Sequence, residues 1–223
     1  ALRLLHLIAG VSYYKAAVPG EIRIDSYAID DATASLLENI YVNGLGEFAY
    51  RNGLDLRGRI KFPVQEAAVA PAAAALGLRQ HALVAIGGGK DSLVSIEALR
   101  AAGVEQTVTW IGNSQLIAAC AARTELPTLN LGRAIAPALF ELNRQGAWNG
   151  HIPVTAVNSA ILVLAAVLHG VDQVVFSNER SASYGSMIPG TGEVNHQWSK
   201  GWAFEQAFGQ YVQSRVAVDL HYY

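Results

Sequence analysis

The sequence predicts an α/β fold, a doubly wound and mainly parallel sheet, with a smaller α+β region before it. Short apolar runs that end at glycine, such as HALVAIG at 81–87, are typical of strands buried on both faces of a parallel sheet. Helical patterns alternate with these runs along the chain. That alternation indicates strand–helix–strand units with helices on both faces of the sheet.

The region before the sheet, residues 1–78, has a helix-rich pattern. Apolar residues recur at helical spacing around 1–17 and 31–50, and EIRID at 21–25 has the composition of a short strand. We place a domain boundary at the end of this region and a catalytic domain at 79–223. Because the chain starts inside a helical pattern and without methionine, we expect it to be a fragment of a longer protein.

The catalytic domain should contain five strands with helices between them. Glycines and capping residues bound the segments, as Gly103 does after the first helix and Asn113 or Ser114 does before the second. The predicted strands are 81–87, 106–112, 126–132, 171–180 and part of 218–223, and the predicted helices are 91–103, 113–123, 135–146, 154–169 and 198–216.

Polar and glycine residues follow the predicted strands. Ligands of an open parallel sheet bind beyond the carboxyl ends of its strands. We therefore expect one crevice lined by the residues at those ends, namely Gly87–Ser92, Gly112–Asn113, Gly132–Arg133 and Ser177–Arg180.

Composition excludes several function classes. A net charge of −2 and a pI near 6.3 provide no basic face, so we expect no nucleic-acid partner. The most apolar segment, 159–170, is about half the length that spans a bilayer, so we expect no membrane partner. The single cysteine, Cys120, excludes an intramolecular disulfide and a multi-cysteine zinc site, and favours a cytoplasmic protein.

The stretch GGGKDS, residues 87–92, has the features of a phosphate-binding turn. Its glycines allow a sharp turn and a close approach of the backbone to a ligand. The helix that follows offers unpaired amides and the positive end of its dipole to an anion. The spacing matches neither the Walker loop nor the dinucleotide fingerprint, because the lysine follows the glycines directly and precedes Asp-Ser.

This stretch resembles the PP-loop of the ATP pyrophosphatase superfamily, whose signature is SGGxDS, with Gly87 in place of the first serine. The resemblance implies a PP-loop fold, cleavage of ATP between its α and β phosphates, and Mg²⁺ as a cofactor. If the resemblance holds, topology leads us to expect the end of the second strand, 110–114, beside adenine and ribose. The expected nucleotide-binding residues are Gly87, Gly88, Gly89, Lys90, Asp91, Ser92, Gly112 and Asn113, with Asp91 also a candidate metal ligand.

A second group of polar residues lies between 177 and 200. Arg180 has the planar cation that binds a carboxylate or phosphate bidentately, and Glu179 could be a Mg²⁺ ligand or a base. His196 can exchange protons near neutral pH. Structural roles stay open for each of them, because Glu179 and Arg180 could form a surface pair and Asn195 could be a helix cap.

Four segments together, FSNERSAS, EVNHQWSK with a following FE, GGGKDS and GHIPVTAVNSA, look like the ATP-dependent UDP-N-acetylmuramoyl-L-alanyl-L-glutamate epimerases of bacterial cell-wall synthesis. The resemblance runs from LRLLHLIAGVSYYKAA to the helix at 198–216. It implies that the terminal L-Glu of a small nucleotide-sugar peptide is inverted to D-Glu while ATP gives AMP and pyrophosphate. The expected catalytic residues are Lys90, Glu179, His196 and Lys200, the expected substrate contacts are His151, Asn178, Arg180, Asn195 and Gln197, and Glu179 is a second candidate metal ligand.

Two alternatives remain open at this point. A PP-loop ligase or amidotransferase would form the same acyl adenylate and transfer it to an amine. A nucleotide sensor without turnover would need the loop but not the polar group at 177–200. The sequence leaves the oligomeric state undetermined.

Overall fold

The computed structural model describes residues 1–65, 72–188 and 192–223. Its first helices are α1 (Leu2–Ala9), α2 (Val11–Ala17), α3 (Asp31–Gly44) and α4 (Gly46–Arg51). Each of the two predicted helical patterns is thus divided in two, at Gly10 and at Leu45. Asp30 caps α3, because its carboxylate accepts a hydrogen bond from the Thr33 amide at 2.9 Å.

The prediction of a strand at 21–25 is wrong. The segment is irregular, and no strand occurs among the described residues before Arg79. Ile22 and Ile24 pack against the core while Glu21 and Arg23 pair at the surface, so apolar and charged residues alternate as they would in a strand. The described part of 1–78 is therefore helical, and not α+β as predicted.

The main sheet has five strands and confirms the predicted α/β class. Its spatial order is β3-β2-β1-β4-β7, and all four neighbouring pairs are parallel. A separate antiparallel pair, β5 with β6, lies outside it. The strands are β1 (Arg79–Ala85), β2 (Gln106–Ile111), β3 (Thr128–Leu131), β4 (Val171–Val175), β5 (Ser186–Ile188), β6 (Gly192–Val194) and β7 (His221–Tyr222), and the remaining helices are α5 (Lys90–Ala101), α6 (Gln115–Ala122), α7 (Pro137–Arg144), α8 (Val154–His169) and α9 (Trp202–Arg215).

Helices cover both faces of this sheet, as predicted. Ala82 and Val84 of β1 belong to one buried cluster with Ile96 of α5 and Ala121 of α6. Leu83, which lies between them on the strand, belongs to a second cluster on the opposite face. Burying one such large aliphatic side chain stabilises the fold by about 1.5–3 kcal/mol.

The second cluster joins the N-terminal helices to the sheet. Ile8, Leu37 and Phe48 are fully buried in the same cluster as Val163 of α8 and Val174 of β4. Helices α1 to α4 therefore share a continuous core with one face of the sheet. This packing brings α4 and the start of α8 to the side of the sheet that holds the polar residues after β4.

The chain changes direction across the sheet at β1. Strands β2 and β3 follow β1 on one side, whereas β4 and β7 lie on its other side. A crevice opens at such a switch point, beyond the carboxyl ends of the two central strands. In the described residues, none of the helices combines the length and apolar character needed to cross a membrane.

Candidate functional site

The glycine loop connects β1 to α5 at the switch point. Gly88 has a φ of +81°, a left-handed conformation that glycine adopts without strain. Gly87 and Gly89 have no atom within 4 Å of where a Cβ would stand, so the backbone is open to an approaching group. The buried Ser92 hydroxyl donates to the Gly89 carbonyl at 3.0 Å and fixes the first turn of α5.

A cleft of about 330 Å³ adjoins this loop. The ends of β1 and β4, the strand β2 and the first turns of α8 form its other walls. Lys200 also lines this cleft, although it belongs to the segment just before α9. The predicted site residues that line the cleft are Gly87, Gly89, Asp91, Ser92, Asn178 and Lys200.

Three buried polar atoms around the cleft have no hydrogen-bond partner among the described residues. They are Thr109 Oγ1, Asn158 Oδ1 and Asn178 Nδ2. Buried polar atoms in native proteins are nearly always paired with protein, water or ligand, so this group points to a polar occupant. Sequence reasoning missed Thr109 and Asn158, although an amide inside the apolar helix VTAVNSAILVL was a usable signal.

Lys90 connects the two predicted groups of polar residues. Its Nζ lies 3.7 Å from Asp91 Oδ1 and 3.8 Å from Glu179 Oε2. The lysine side chain is 78% exposed, so these contacts add little stability. Their value is positional, because they hold an ammonium and two carboxylates beside the glycine loop.

The same carboxylates suit a magnesium ion that also binds phosphate. Among the described residues, no group of three or more His, Cys, Asp or Glu side chains is arranged as a metal site. Mg²⁺ in phosphate-transfer sites is usually bound by one or two carboxylates plus substrate phosphates. Asp91 and Glu179 supply two carboxylates for such an arrangement. Ser181 donates a hydrogen bond to Glu179 and orients it.

A histidine pair lies next to this region. The rings of His151 and His196 are perpendicular, with centroids 5.7 Å apart. Glu47 Oε2 is 3.8 Å from His196 Nδ1, and Glu47 Oε1 accepts from Arg51 Nε at 2.7 Å. Glu47 was absent from the predicted site, and nothing in its sequence context distinguishes it from other helical glutamates.

The environment of His151 favours its neutral form. Burial lowers the pKa of His151, the positive charges of His196 and Lys200 lower it further, and the Glu47 carboxylate opposes them. The Lys15 ammonium, itself buried, donates to Asn149 Oδ1 at 2.7 Å and to the Gly150 carbonyl at 3.3 Å. The segment that presents His151 is therefore held in place.

A larger cavity of about 930 Å³ lies on the other side of the segment that carries Lys200. A short 3-10 helix, Trp198–Lys200, forms the wall between the two. Trp198 lines the larger cavity and Lys200 lines the cleft. Asn195, which also faces the larger cavity, accepts from the Gln197 amide at 2.8 Å.

Some predicted residues lie elsewhere. The prediction that Gly132 and Arg133 line the same crevice is wrong, because they line a separate cavity against α1, α2 and α8. Strand β3 is at the sheet edge, too far across the sheet to reach the switch point. Gly112 and Asn113 follow β2 outside the lining of the cleft, and the Gly112 carbonyl accepts from Asn130. Arg180 is exposed and starts a short 3-10 helix, Arg180–Ser183.

Comparison with known proteins provides independent findings. A family model described as the MurL N-terminal domain matches residues 1–223. A curated relative from Xanthomonas oryzae pv. oryzae (strain MAFF 311018) is 79% identical over 223 residues, which cover all of this chain and 49% of the relative. Relatives from Micromonospora sp. and Salinispora tropica are 45% and 44% identical over 200 residues, which cover 90% of this chain and 44% of each relative.

All three relatives are named UDP-N-acetyl-alpha-D-muramoyl-L-alanyl-L-glutamate epimerase. The chain spans about half the length of the curated relatives it matches. No solved structure matches the chain.

Proposed function

Because the chain belongs to the MurL N-terminal domain family, we propose that the protein is an ATP-dependent epimerase of UDP-N-acetylmuramoyl-L-alanyl-L-glutamate. In this proposal it adenylates the terminal L-Glu, inverts its α-carbon and so supplies D-Glu for peptidoglycan synthesis. The names of the relatives support the substrate and the inversion. The glycine loop and its surroundings support the ATP step.

One observation carries the ATP step, the position of Lys90 between Asp91 and Glu179 beside the loop. The loop offers open backbone at Gly87 and Gly89, and α5 offers the positive end of a helix to phosphate oxygens. The unpaired atoms of Thr109, Asn158 and Asn178 give the cleft further polar contacts. These residues fit a nucleoside triphosphate, and we propose a PP-loop type of ATP site at the glycine loop and the adjoining cleft.

The adenylation step explains why an epimerase would consume ATP. An oxygen of the α-carboxylate of the substrate glutamate attacks the α-phosphorus of ATP, and pyrophosphate leaves. The resulting mixed anhydride is neutral at the former carboxylate and withdraws electrons, so the α-proton becomes far more acidic. Removal of that proton gives an enolate-like species that fixed donors stabilise. A second group returns a proton to the opposite face of the α-carbon, and water then cleaves the inverted anhydride to carboxylate and AMP.

Lys90 would neutralise charge that develops on the leaving pyrophosphate. Asp91 and Glu179 would hold Mg²⁺, which supplies charge neutralisation at the phosphates when bound. Lys200 lies in the wall of the cleft and can reach a substrate that occupies it. We assign it to the stabilisation of the enolate-like oxygen or to proton transfer at the α-carbon.

The histidine pair would carry out the remaining proton transfer. A neutral imidazole can accept a proton, and the lowered pKa of His151 keeps it neutral near pH 7. His196 is beside it, with Glu47 oriented toward its Nδ1. Two groups that exchange protons on opposite faces of one carbon are what inversion requires.

Pyrophosphate release and the chirality of the product test this proposal together. The natural full-length protein is incubated with ATP and Mg²⁺, with and without UDP-N-acetylmuramoyl-L-alanyl-L-glutamate, and the glutamate is then analysed on a chiral column. Substrate-dependent pyrophosphate together with D-Glu is the expected result. Pyrophosphate with unchanged L-Glu would favour a ligase whose amine substrate is missing from the assay. The absence of both products would contradict the proposal.

A further inference from the structure

The larger cavity has no role in the adenylation and proton-transfer steps, yet aromatic side chains are concentrated around it. Trp202, Trp198 and Tyr50 line it. Trp202 is 64% exposed and Tyr50 is 47% exposed. Large exposed aromatic rings beside a concave surface are typical of ligand-binding sites, because they give up little conformational entropy on contact.

The polar lining of the cavity contains planar side chains with mixed donors and acceptors. Arg57 binds both carboxylate oxygens of Asp55, with Nε and Nη2 each at 2.9 Å. Asn43 adds an amide and Glu193 a carboxylate. The Arg57 and Asp55 charges offset each other, which leaves the lining with the negative charge of Glu193. A site with this balance disfavours phosphate groups and suits a neutral, polyhydroxylated ligand.

We propose that this cavity binds the N-acetylated sugar ring of the substrate. A pyranose packs the C–H groups of one face on an aromatic ring, while its hydroxyl and amide groups bond to planar polar side chains around the rim. The identity of the sugar rests on the function proposed above. The volume of about 930 Å³ is large enough for a sugar ring with parts of its substituents.

The position of the cavity agrees with this assignment. The 3-10 helix Trp198–Lys200 separates it from the cleft, so a sugar stacked near Trp198 would have its peptide directed past this helix toward Lys200. Glu47 belongs to α4, and Ala49 and Tyr50 of that helix line the cavity. Glu47 contacts His196 of the histidine pair, so the pair lies beside the helix that borders the proposed sugar site.

Substitutions at Trp202 test the proposal in the natural full-length protein. Binding of UDP-N-acetylmuramoyl-L-alanyl-L-glutamate and of ATP is measured by titration calorimetry for the wild type, Trp202→Ala and Trp202→Phe. Trp148→Ala is the matched control, because Trp148 is also exposed and lines neither the cavity nor the cleft. We expect Trp202→Ala to weaken substrate binding about tenfold, Trp202→Phe to weaken it less, and ATP binding to stay unchanged in every variant.

Saturation-transfer NMR on the bound substrate identifies which part of it contacts the cavity. The sugar protons should receive saturation in the wild type and lose it in Trp202→Ala. If the uracil protons lost saturation in Trp202→Ala and the sugar protons kept it, the cavity would bind the base and the proposal would be wrong. Unchanged substrate affinity in Trp202→Ala, or an equal loss in Trp148→Ala, would also overturn it.

These measurements separate the sugar site from the proposed reaction. Trp202-dependent binding of the substrate without formation of D-Glu would support the sugar site and contradict the epimerase. Formation of D-Glu with unchanged substrate affinity in Trp202→Ala would support the epimerase and overturn the sugar site.

Discussion

The ammonium of Lys90 lies 3.8 Å from a carboxylate oxygen of Glu179. Lys90 is the first residue of α5, whereas Glu179 follows β4, so the contact spans the switch point of the sheet. It places the glycine loop and the polar segment after β4 in one site. The sequence predicts a role for each residue on separate grounds, and the fold brings the two side chains together.

Lys90 should be needed for the ATP step and dispensable for folding. Lys90→Ala removes the cation beside the loop, and we expect pyrophosphate release to fall about a hundredfold. The melting temperature of Lys90→Ala should stay close to that of the wild type, since the Lys90 side chain is largely exposed. Lys61→Ala is the control, because Lys61 is also largely exposed and pairs with Glu38. Unchanged pyrophosphate release in Lys90→Ala would contradict the assignment.

The pKa of His151 should respond to its two charged neighbours in opposite directions. Lys200→Met removes a cation and should raise the pKa of His151, whereas Glu47→Gln removes an anion and should lower it. Titration of the His151 ring proton by NMR measures both shifts. The carbon-bound ring proton of His6, whose Nδ1 shares a hydrogen bond with the Tyr27 hydroxyl, serves as the internal control. Shifts of the same sign in the two variants would show that burial changes dominate.

The pH dependence of stability follows from the same lowered pKa. The unfolded chain binds a proton at His151 near pH 6.5, whereas the folded chain binds it only at lower pH. The contribution of the neutral ring to the free energy of unfolding is thus complete above about pH 6.5 and is lost as the pH falls toward the folded pKa. His151→Gln should flatten this part of the curve, measured by urea unfolding between pH 5 and pH 8.

Substitution by alanine should change the free energy of unfolding differently at two adjacent glycines of the loop. Gly88 has a φ of +81°, so Gly88→Ala should lower the free energy of unfolding by about 1–2 kcal/mol. Gly89 has a φ of −94° and free space around it, so Gly89→Ala should leave stability within about 0.5 kcal/mol of the wild type. Both methyl groups would obstruct phosphate, so both variants should bind ATP more weakly. Equal losses of stability in the two variants would contradict the loop geometry.

The close contact between α3 and the start of α8 gives another prediction. A Cβ on Gly44 would lie 2.5 Å and 2.6 Å from two side-chain carbons of Pro153. Gly44→Ala should therefore lower the free energy of unfolding by about 1–3 kcal/mol, measured by urea unfolding. Gly46→Ala is the matched control, because no atom lies within 4 Å of its Cβ position. A stable Gly44→Ala variant would mean that α8 can shift without cost.

Local features were predictable because they depend on short-range physics. The buried residues 81–84 of β1, the left-handed Gly103 that follows α5 and the Ser114 cap of α6 depend on near neighbours in the chain, and the structure has each of them. The strand prediction for 21–25 was wrong, because alternating apolar and charged side chains do not form a strand without a partner strand.

The sequence by itself determined the α/β class, the order of the five strands of the main sheet with the helices between them, and the glycine turn after β1, since periodicity and glycine conformation are local. Only the tertiary structure decided which distant side chains meet. It placed Glu47 beside His196, oriented Gly132 and Arg133 toward a different cavity, and set Trp198 and Lys200 on opposite sides of one wall. The reason is that strand order and helix packing, which join residues far apart in the chain, fix the direction of each side chain.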